Sequence, residues 1–399
     1  MSWPRRGLGL QNTSDRPGKQ CGRTVKTFDP EIGRLKALGR YRSLKLPAGL
    51  DLSSNDYLGL SEHPALRQAA IEALQGGIEI GASASRLLRG HRQAHAELEA
   101  FAADYFDSPR SLFFANGYQA NFALVTGLVK RDDTIVFDAL CHASMRDGIY
   151  AVRSAAVKIP HNDLDAFEQA LKAPRAAGAN VWILVESVYS MDGDMAPVRE
   201  LLALAEKYDA MLIVDEAHST GVCGASGRGA TEGLSDSGFS HDRLIVLHTC
   251  GKALGVAGAL VCASEPTIDY LINTARPFIY STAPMPLQAV LVQRALELVQ
   301  KEPERRQELA ALKAHAAKCL PGVSVLSQIV PIIIGGDDAA VALASALQAE
   351  GFDIRAIRPP TVPEGTARLR LSLRVGVTTD QLTAFAEALT RLRRQRLSA

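Results

Sequence analysis

Through the middle of the chain, short apolar runs alternate with stretches of helical period. This alternation restricts the fold more than any other feature. Leu112–Ala115, Thr134–Phe137, Val181–Val185, Met211–Val214 and Leu244–Leu247 are short and apolar, with β-branched residues in most, and Asn, Asp, Glu, Ser or His bounds each one. Such runs are those of strands buried on both faces, as in a mostly parallel sheet. Between them, Tyr118–Leu128, Asp163–Leu171 and Val198–Tyr208 space their apolar residues as helices do, and Ala196-Pro197 puts a proline near the start of the third. The order predicts an α/β layer architecture with right-handed crossovers.

Length divides the chain. It has 399 residues, and a single core rarely grows beyond about 250–300. The proline-rich turn Ala283-Pro284-Met285-Pro286 marks a boundary. After it the pattern is α+β: a long helical stretch Leu287–Leu320, the run Val330–Ile334, a helix Asp338–Glu350, a strand Ala367–Leu373 and a closing helix from Asp380. The expected organisation is an N-terminal arm (1–50), a large domain (51–285) and a smaller C-terminal domain (286–399), without internal repeats.

A formal net charge of +1 argues against nucleic acid or an anionic membrane surface as partner. No apolar stretch reaches the roughly 18 residues that span a bilayer. Cys21, Cys141, Cys223, Cys250, Cys262 and Cys319 form no CxxC pair and no metal-ligand spacing, so reduced thiols in a cytoplasm are expected. The segment Met1–Phe28 is basic, with Asp15 its only acid. It lacks the apolar core of a secretory signal; a loosely docked arm and an organelle transit peptide are the readings it leaves.

In open α/β sheets, ligands bind beyond the carboxyl ends of the strands, and here polar residues follow five successive runs. They are Asn116-Gly117-Tyr118-Gln119-Ala120-Asn121; Asp138 with Cys141-His142-Ala143-Ser144; Glu186 through Asp194; Asp215-Glu216-Ala217-His218; and His248-Thr249-Cys250-Gly251-Lys252. Taken singly, each has an ordinary explanation. Gly117 suits a turn, Asp215 a helix N-cap, His142 and His218 satisfied half-buried positions, Lys252 a solvated loop. Taken together they match the needs of pyridoxal phosphate (PLP). That cofactor takes an amine for a Schiff base, an acid against its pyridinium nitrogen, a phosphate cup and a ring-stacking group. Lys252, Asp215, the Gly117 turn with Thr249, and His142 are candidates for those four places. A glycine at a helix start lets backbone N–H groups and the helix dipole meet a phosphate. No GxxxxGK[ST] run supports a P-loop, no GxSxG a serine hydrolase, and Asp192, Asp194, Asp215 and Glu216 are too few and scattered for a metal site.

From Asp51 to about Leu373 the chain resembles the fold-type-I PLP enzymes, and among them the α-oxoamine synthases. The resemblance rests on Leu52-Ser53-Ser54-Asn55-Asp56-Tyr57-Leu58-Gly59-Leu60, Asn116–Asn121, His142-Ala143-Ser144, Tyr189–Asp194, Asp215–Gly221, the Lys252 run and Tyr280-Ser281-Thr282. It implies a homodimer with shared active sites, PLP on Lys252, and a decarboxylating condensation of an amino acid with an acyl thioester. It further implies that His142 stacks on the ring, Asp215 faces its nitrogen, His218 and Ser190 lie at its phenolic oxygen, and Gly117, Tyr118 and Thr249 bind phosphate with Thr282 of the partner subunit. Arg370 would grip the amino acid carboxylate. Asn55, Ser85, Thr361 and an arm arginine, Arg40 or Arg42, would meet the substrates.

The run Ala356–Pro363 resembles the branch that joins L-alanine to a pimeloyl thioester, of coenzyme A or a carrier protein, in biotin biosynthesis. Ser85, where glycine-specific siblings carry threonine, leaves room for alanine's methyl group, worth ~1–3 kcal/mol. The alternatives are a sibling using glycine or serine with another thioester, giving 2-amino-3-ketobutyrate, aminolevulinate or ketosphinganine, and a non-catalytic subunit. The chain departs from the family pattern at Gly81–Arg86, where alanines replace glycines, and after Arg370, where the usual histidine is missing.

Overall fold

The structure, a computed structural model, describes residues 28–173, 176–234 and 240–397. Cys21 and most of the basic leader lie outside the described residues. Residues up to Leu44 form one compact unit and those from Lys45 another. In the first, the helix Asp29–Ala37 starts with Pro30, carries Asp29 and Glu31 in its first turn and Arg34 and Lys36 in its last, each sign facing the favourable end of the helix dipole.

Among the described residues, the second unit is built on twelve strands: β1 (Leu50–Asp51), β2 (Arg110–Phe114), β3 (Thr134–Asp138), β4 (Ala155–Ile159), β5 (Val181–Glu186), β6 (Met211–Asp215), β7 (Leu244–Thr249), β8 (Ala259–Ala263), β9 (Ile329–Gly335), β10 (Phe352–Asp353), β11 (Ala356–Ile357) and β12 (Ala367–Ser372). Seven make the central sheet, in the order β2-β8-β7-β6-β5-β3-β4. Pairings from β4 through β7 are parallel, and β8 runs antiparallel to both β2 and β7. Successive residues of β5 feed opposite faces. Trp182 and Leu184 join the apolar cluster under the helices Gly117–Leu128 and Ala143–Val152, while Val181, Ile183 and Val185 join the one under Leu164–Leu171 and Val198–Lys207. With both faces covered, every residue of the strand is buried, and the run reads as continuously apolar. In the C-terminal part, β11, β12 and β9 form an antiparallel sheet, and β1 pairs in parallel with β10.

Three features depart from the sequence pattern. The stretch Leu287–Leu320 is two helices, Pro286–Lys301 and Glu304–Cys319, because Pro303 has no N–H to continue the first. Strands β4 and β8 were not anticipated. β4 lies at the sheet edge with most of its residues exposed, so no apolar run marks it. β8 turns back on β7 because the link Cys250–Gly258 is shorter than the dozen or so residues a parallel crossover needs.

That link carries Lys252 and is internally bonded: Cys250 N donates to Gly258 O at 2.8 Å, Val256 N to Cys250 O at 3.0 Å and Gly255 N to Lys252 O at 2.9 Å. Gly255 has φ +66° and abuts the chain after Tyr57; a Cβ there would lie 2.6 Å from the Leu60 carbonyl carbon and closer still to Ser61 N. Both contacts are to backbone and neither can yield. Gly77 shares a positive φ (+83°) but faces open space. Gly255→Ala is therefore expected to lower unfolding stability by ~2 kcal/mol or more, from left-handed strain plus overpacking. Gly77→Ala should cost only the strain, ~1–2 kcal/mol. Equal urea midpoints for the two variants would contradict this assignment.

Candidate active site

Parallel pairing sets the carboxyl ends of β3, β5, β6 and β7 along one edge of the sheet, where a cavity of about 670 Å³ opens. Of the residues singled out from sequence, Asn55, His142, Ser190, His218, Lys252, Thr361 and Arg370 line it. They come from segments as far apart as Asn55 and Arg370, and the fold alone unites them.

Lys252 Nζ lies 2.7 Å from His218 Nε2. His218 Nδ1 in turn lies 2.7 Å from the hydroxyl of Tyr57, and that hydroxyl donates to Asn55 Oδ1 at 3.0 Å. Burial pushes Lys252 down to about 8, against the pull of Asp215 and Glu186 in the other direction. Burial also drives His218 well below the ordinary histidine range, helped by the positive charges of Lys252 and Arg370. The imidazole is thus neutral near neutral pH, and the lysine sheds its proton far more readily than a solvated one.

Asp215, 3% exposed at the end of β6, is held by its neighbours. Its Oδ2 accepts from Asn121 Nδ2 at 2.6 Å and its Oδ1 from the backbone of Ala217 at 2.9 Å. Asn121 Nδ2 also donates to Ser144 Oγ at 3.0 Å, and Ser144 Oγ lies 2.7 Å from His142 Nδ1. Ser144 N points at the same ring nitrogen, 3.3 Å away, so Nδ1 is the acceptor and the ring's other nitrogen carries the proton. His142 is thereby tied to Asp215 through two side chains. Glu186 pairs in register with Asp215 on the next strand; burial, then that carboxylate, raise its pKa, and its Oε1 has no partner.

Two arginines of β12, on one face at i and i+2, fix the opposite wall. Arg368 donates to Asp192 Oδ1 at 2.5 Å and to Met191 O at 3.2 Å. Arg370 gives Nε–H to Ser190 O at 2.6 Å, one η nitrogen to Ser372 Oγ at 2.9 Å and the other to Tyr57 Oη at 3.1 Å. A guanidinium has five N–H groups, so each η nitrogen retains one for a planar anion such as a carboxylate.

The start of the helix Gly117–Leu128 faces Thr249. A Cβ on Gly117 would lie 3.1 Å from Thr249 Oγ1, so the glycine leaves a cradle between a hydroxyl and the first-turn N–H groups of Gly117 and Tyr118, which have no acceptor within the helix. The Tyr118 ring itself is exposed and its hydroxyl bonds Asp147. Ser85 does not line the cavity. It precedes the single helical turn Arg86–Gly90, in a segment bonded to the Thr282 region through Ala283 N to Ala84 O, 2.9 Å. Arg40 and Arg42 lie in the unit that ends at Leu44.

Sequence reading did not single out Tyr57, Asn121, Ser144 or the His161 clamp. Spacing held one clue: Asn121 stands four residues after Gly117, on the same face of the helix. His161 bridges Asp138 Oδ1 at 2.9 Å and Asp194 Oδ2 at 2.6 Å, with Asn162 Nδ2 also donating to Asp194 Oδ2 at 2.9 Å. It anchors the Tyr189–Asp194 turn, whose middle lines the cavity. Among the described residues no group of His, Cys, Asp and Glu could hold a metal ion, and no helix is long and apolar enough to cross a membrane.

A covered parallel sheet with a lysine, an aspartate and two histidines at its carboxyl edge defines the class: a fold-type-I, PLP-dependent type of enzyme. The chain belongs to the class I and II aminotransferase family, whose model matches residues 47–389, and within it to the family of the 8-amino-7-oxononanoate synthases. It is 42% identical over 366 residues to 8-amino-7-oxononanoate synthase of Cupriavidus taiwanensis, covering 88% of this chain and 89% of that one. It is 41% identical to the Chromobacterium violaceum protein of the same name, covering 92% and 98%. Among solved structures, serine palmitoyltransferase of Sphingomonas wittichii superposes with a TM-score of 0.84 at 26% identity, over 92% of this chain and 97% of that one. The 8-amino-7-oxononanoate synthase of Francisella tularensis gives 0.74 at 27%, over 88% and 99%.

The His161 clamp has a pH signature. Its two carboxylate partners outweigh burial and raise His161 to about 10, above the ~6.5 of an unfolded chain. Its stabilising effect is complete below about pH 6.5 and fades as pH rises toward 10. Urea unfolding should show wild-type stability falling across that window, and His161→Gln should remove that part of the slope. Parallel curves for the two proteins would dissociate the clamp from it.

Proposed function

We propose that the chain catalyses the PLP-dependent condensation of L-alanine with a pimeloyl thioester, releasing carbon dioxide and the thiol carrier and giving 8-amino-7-oxononanoate, a step of biotin biosynthesis. The observation that carries the chemistry is Lys252 Nζ, at the cavity wall with a pKa lowered to about 8 and 2.7 Å from a neutral His218. The product is the one in the name shared by the relatives.

The residues present fit the cofactor. Lys252 supplies the amine, Asp215 a buried carboxylate, His142 a ring at the cavity wall, and the Gly117–Thr249 cradle a seat for phosphate. PLP supplies the electron sink that lets an amino acid lose its α-proton. Lys252 would hold it and, as a neutral amine, would take that proton; a lysine near 8 reaches the neutral state at modest cost. Asp215, fixed by Asn121 and Ala217, keeps negative charge where a pyridinium nitrogen requires it. His142 would pack against the ring, and His218 with Ser190 would serve its phenolic oxygen. Gly117, Tyr118 and Thr249 hold the phosphate. Arg370 presents its two remaining N–H groups to the substrate carboxylate, with Asn55 and Thr361 beside it.

Residues 51–285 act as a large cofactor-binding domain and 286–399 as a small domain that brings Arg370, with 1–50 as an arm. The chain works in the cytoplasm as a homodimer. Thr282 and Ser85, neighbours outside the cavity of their own chain, act at the partner's site. The acyl carrier is coenzyme A or a carrier protein.

Lys252→Ala is expected to abolish both the visible absorbance of lysine-bound PLP and turnover, by a factor of 10³ or more on the order of a lost nucleophilic group. Retained absorbance with full activity would refute the assignment. In a panel of amino acids and acyl thioesters, L-alanine with the pimeloyl thioester should exceed glycine or serine in kcat/KM by at least roughly tenfold, the size of a one-methyl discrimination. A preference for glycine or serine would give the chain to a sibling activity instead.

A further inference from the structure

We propose that Tyr57 is a positioning residue. Its hydroxyl fixes which ring nitrogen of His218 carries the proton and joins that choice to Arg370. The inference rests on the reading of Lys252 and Arg370 given above.

The argument is a count of protons. While Lys252 is an ammonium it has donors only, so His218 Nε2, 2.7 Å away, must accept. A neutral ring that accepts at Nε2 carries its hydrogen at Nδ1. That hydrogen points at Tyr57 Oη, 2.7 Å away. Arg370 also has donors only, and one η nitrogen lies 3.1 Å from the same oxygen. A phenol oxygen accepts two hydrogen bonds and donates one. Both acceptor places being filled, the Tyr57 hydrogen goes to Asn55 Oδ1 at 3.0 Å. Each link of the chain Lys252–His218–Tyr57–Asn55 thus pairs one donor with one acceptor while Lys252 is charged, with the Gln328 side chain also beside the Tyr57 hydroxyl. Tyr57 is 0% exposed and, unlike His218 and Arg370, does not line the cavity, so its hydroxyl is shielded from water. The backbone that carries the ring is held as well: Tyr57 N donates to Asn55 O at 2.8 Å and Val375 N to Tyr57 O at 2.9 Å.

One oxygen therefore touches both the guanidinium that would receive the substrate carboxylate and the imidazole beside the base. If the group facing Nε2 becomes an acceptor, the ring must reverse its tautomer. Tyr57 can follow by turning its hydrogen from Asn55 to Nδ1. Phenylalanine at this place keeps the shape and removes the option.

The test uses the full-length protein, without and with PLP, labelled with ¹⁵N-histidine, the His218 signal being assigned by its absence in His218→Asn. Without PLP, the wild type should show His218 protonated at Nδ1, and Tyr57→Phe should lose that single tautomer. With PLP and the pimeloyl thioester, Tyr57→Phe should lower kcat/KM for L-alanine by about 10- to 100-fold and raise its KM, at unchanged affinity for PLP. Where Tyr57→Phe fails to fold, 3-fluorotyrosine at position 57 keeps the hydroxyl and alters its acidity. It should then move the His218 signal and displace the pH profile of kcat. An unchanged His218 tautomer in Tyr57→Phe, or an unmoved signal and profile with fluorotyrosine, would overturn the proposal. If L-alanine proves not to be a substrate of the wild type, the reading of the reaction fails while the tautomer measurement still decides the role of Tyr57.

Discussion

Parallel pairing of four neighbouring strands is the constraint from which the site follows. Because β3, β5, β6 and β7 run the same way, the residue that ends each one meets the others at one edge. Burial on both faces requires these strands to be apolar along their length. Polar chemistry is then confined to their ends and the turns beyond. Glu186 and Asp215 stand side by side for this reason alone, as register partners at adjacent strand ends. The antiparallel return of β8 adds the last component, since the short link it demands is the one that carries Lys252.

The site is a small set of buried charges balanced against one another. Asp215 is satisfied by an amide and a backbone N–H, and Lys252 is the cation closest in role to it. Burial disfavours the charged form of the lysine and the neighbouring carboxylate partly restores it, which leaves the amine near 8. Glu186 cannot also ionise cheaply beside Asp215, and its pKa rises. Beyond these, the wall of the cavity is held by clamps: Arg368 and Arg370 from β12, and His161 between two aspartates. Arg368, Arg370, His161 and Asn162 thus pin the turn Tyr189–Asp194. Catalytic groups set this rigidly lose less entropy when a substrate is bound.

Much of this could be read along the chain. The apolar runs announced their strands, and the polar clusters after them announced the site, because in a two-sided parallel sheet there is nowhere else for such residues to go. Lys252, Asp215, His142 and Gly117 were legible for that reason. Less legible were residues whose role is relational. Tyr57 carries no signal of period or strand end, and it matters through its neighbour Asn55 and through His218 and Arg370, which are distant in sequence. His161 follows an exposed edge strand that carries no apolar signal, and the break at Pro303 was masked by the helical period on either side of it.

The sequence by itself determined the layered α/β class, the positions of most of the buried strands and the polar residues that follow them, since these depend on local periodicity and on residue type. Tertiary structure alone decided which of those groups meet. It brought Asn55, Lys252 and Arg370 to one cavity, left Ser85 and Thr282 as neighbours outside it, and set the ionisation of Lys252 and His218. Distances and burial are properties of the folded whole: a pKa depends on what water has been excluded and which charges remain nearby, and neither is written in any one stretch of chain.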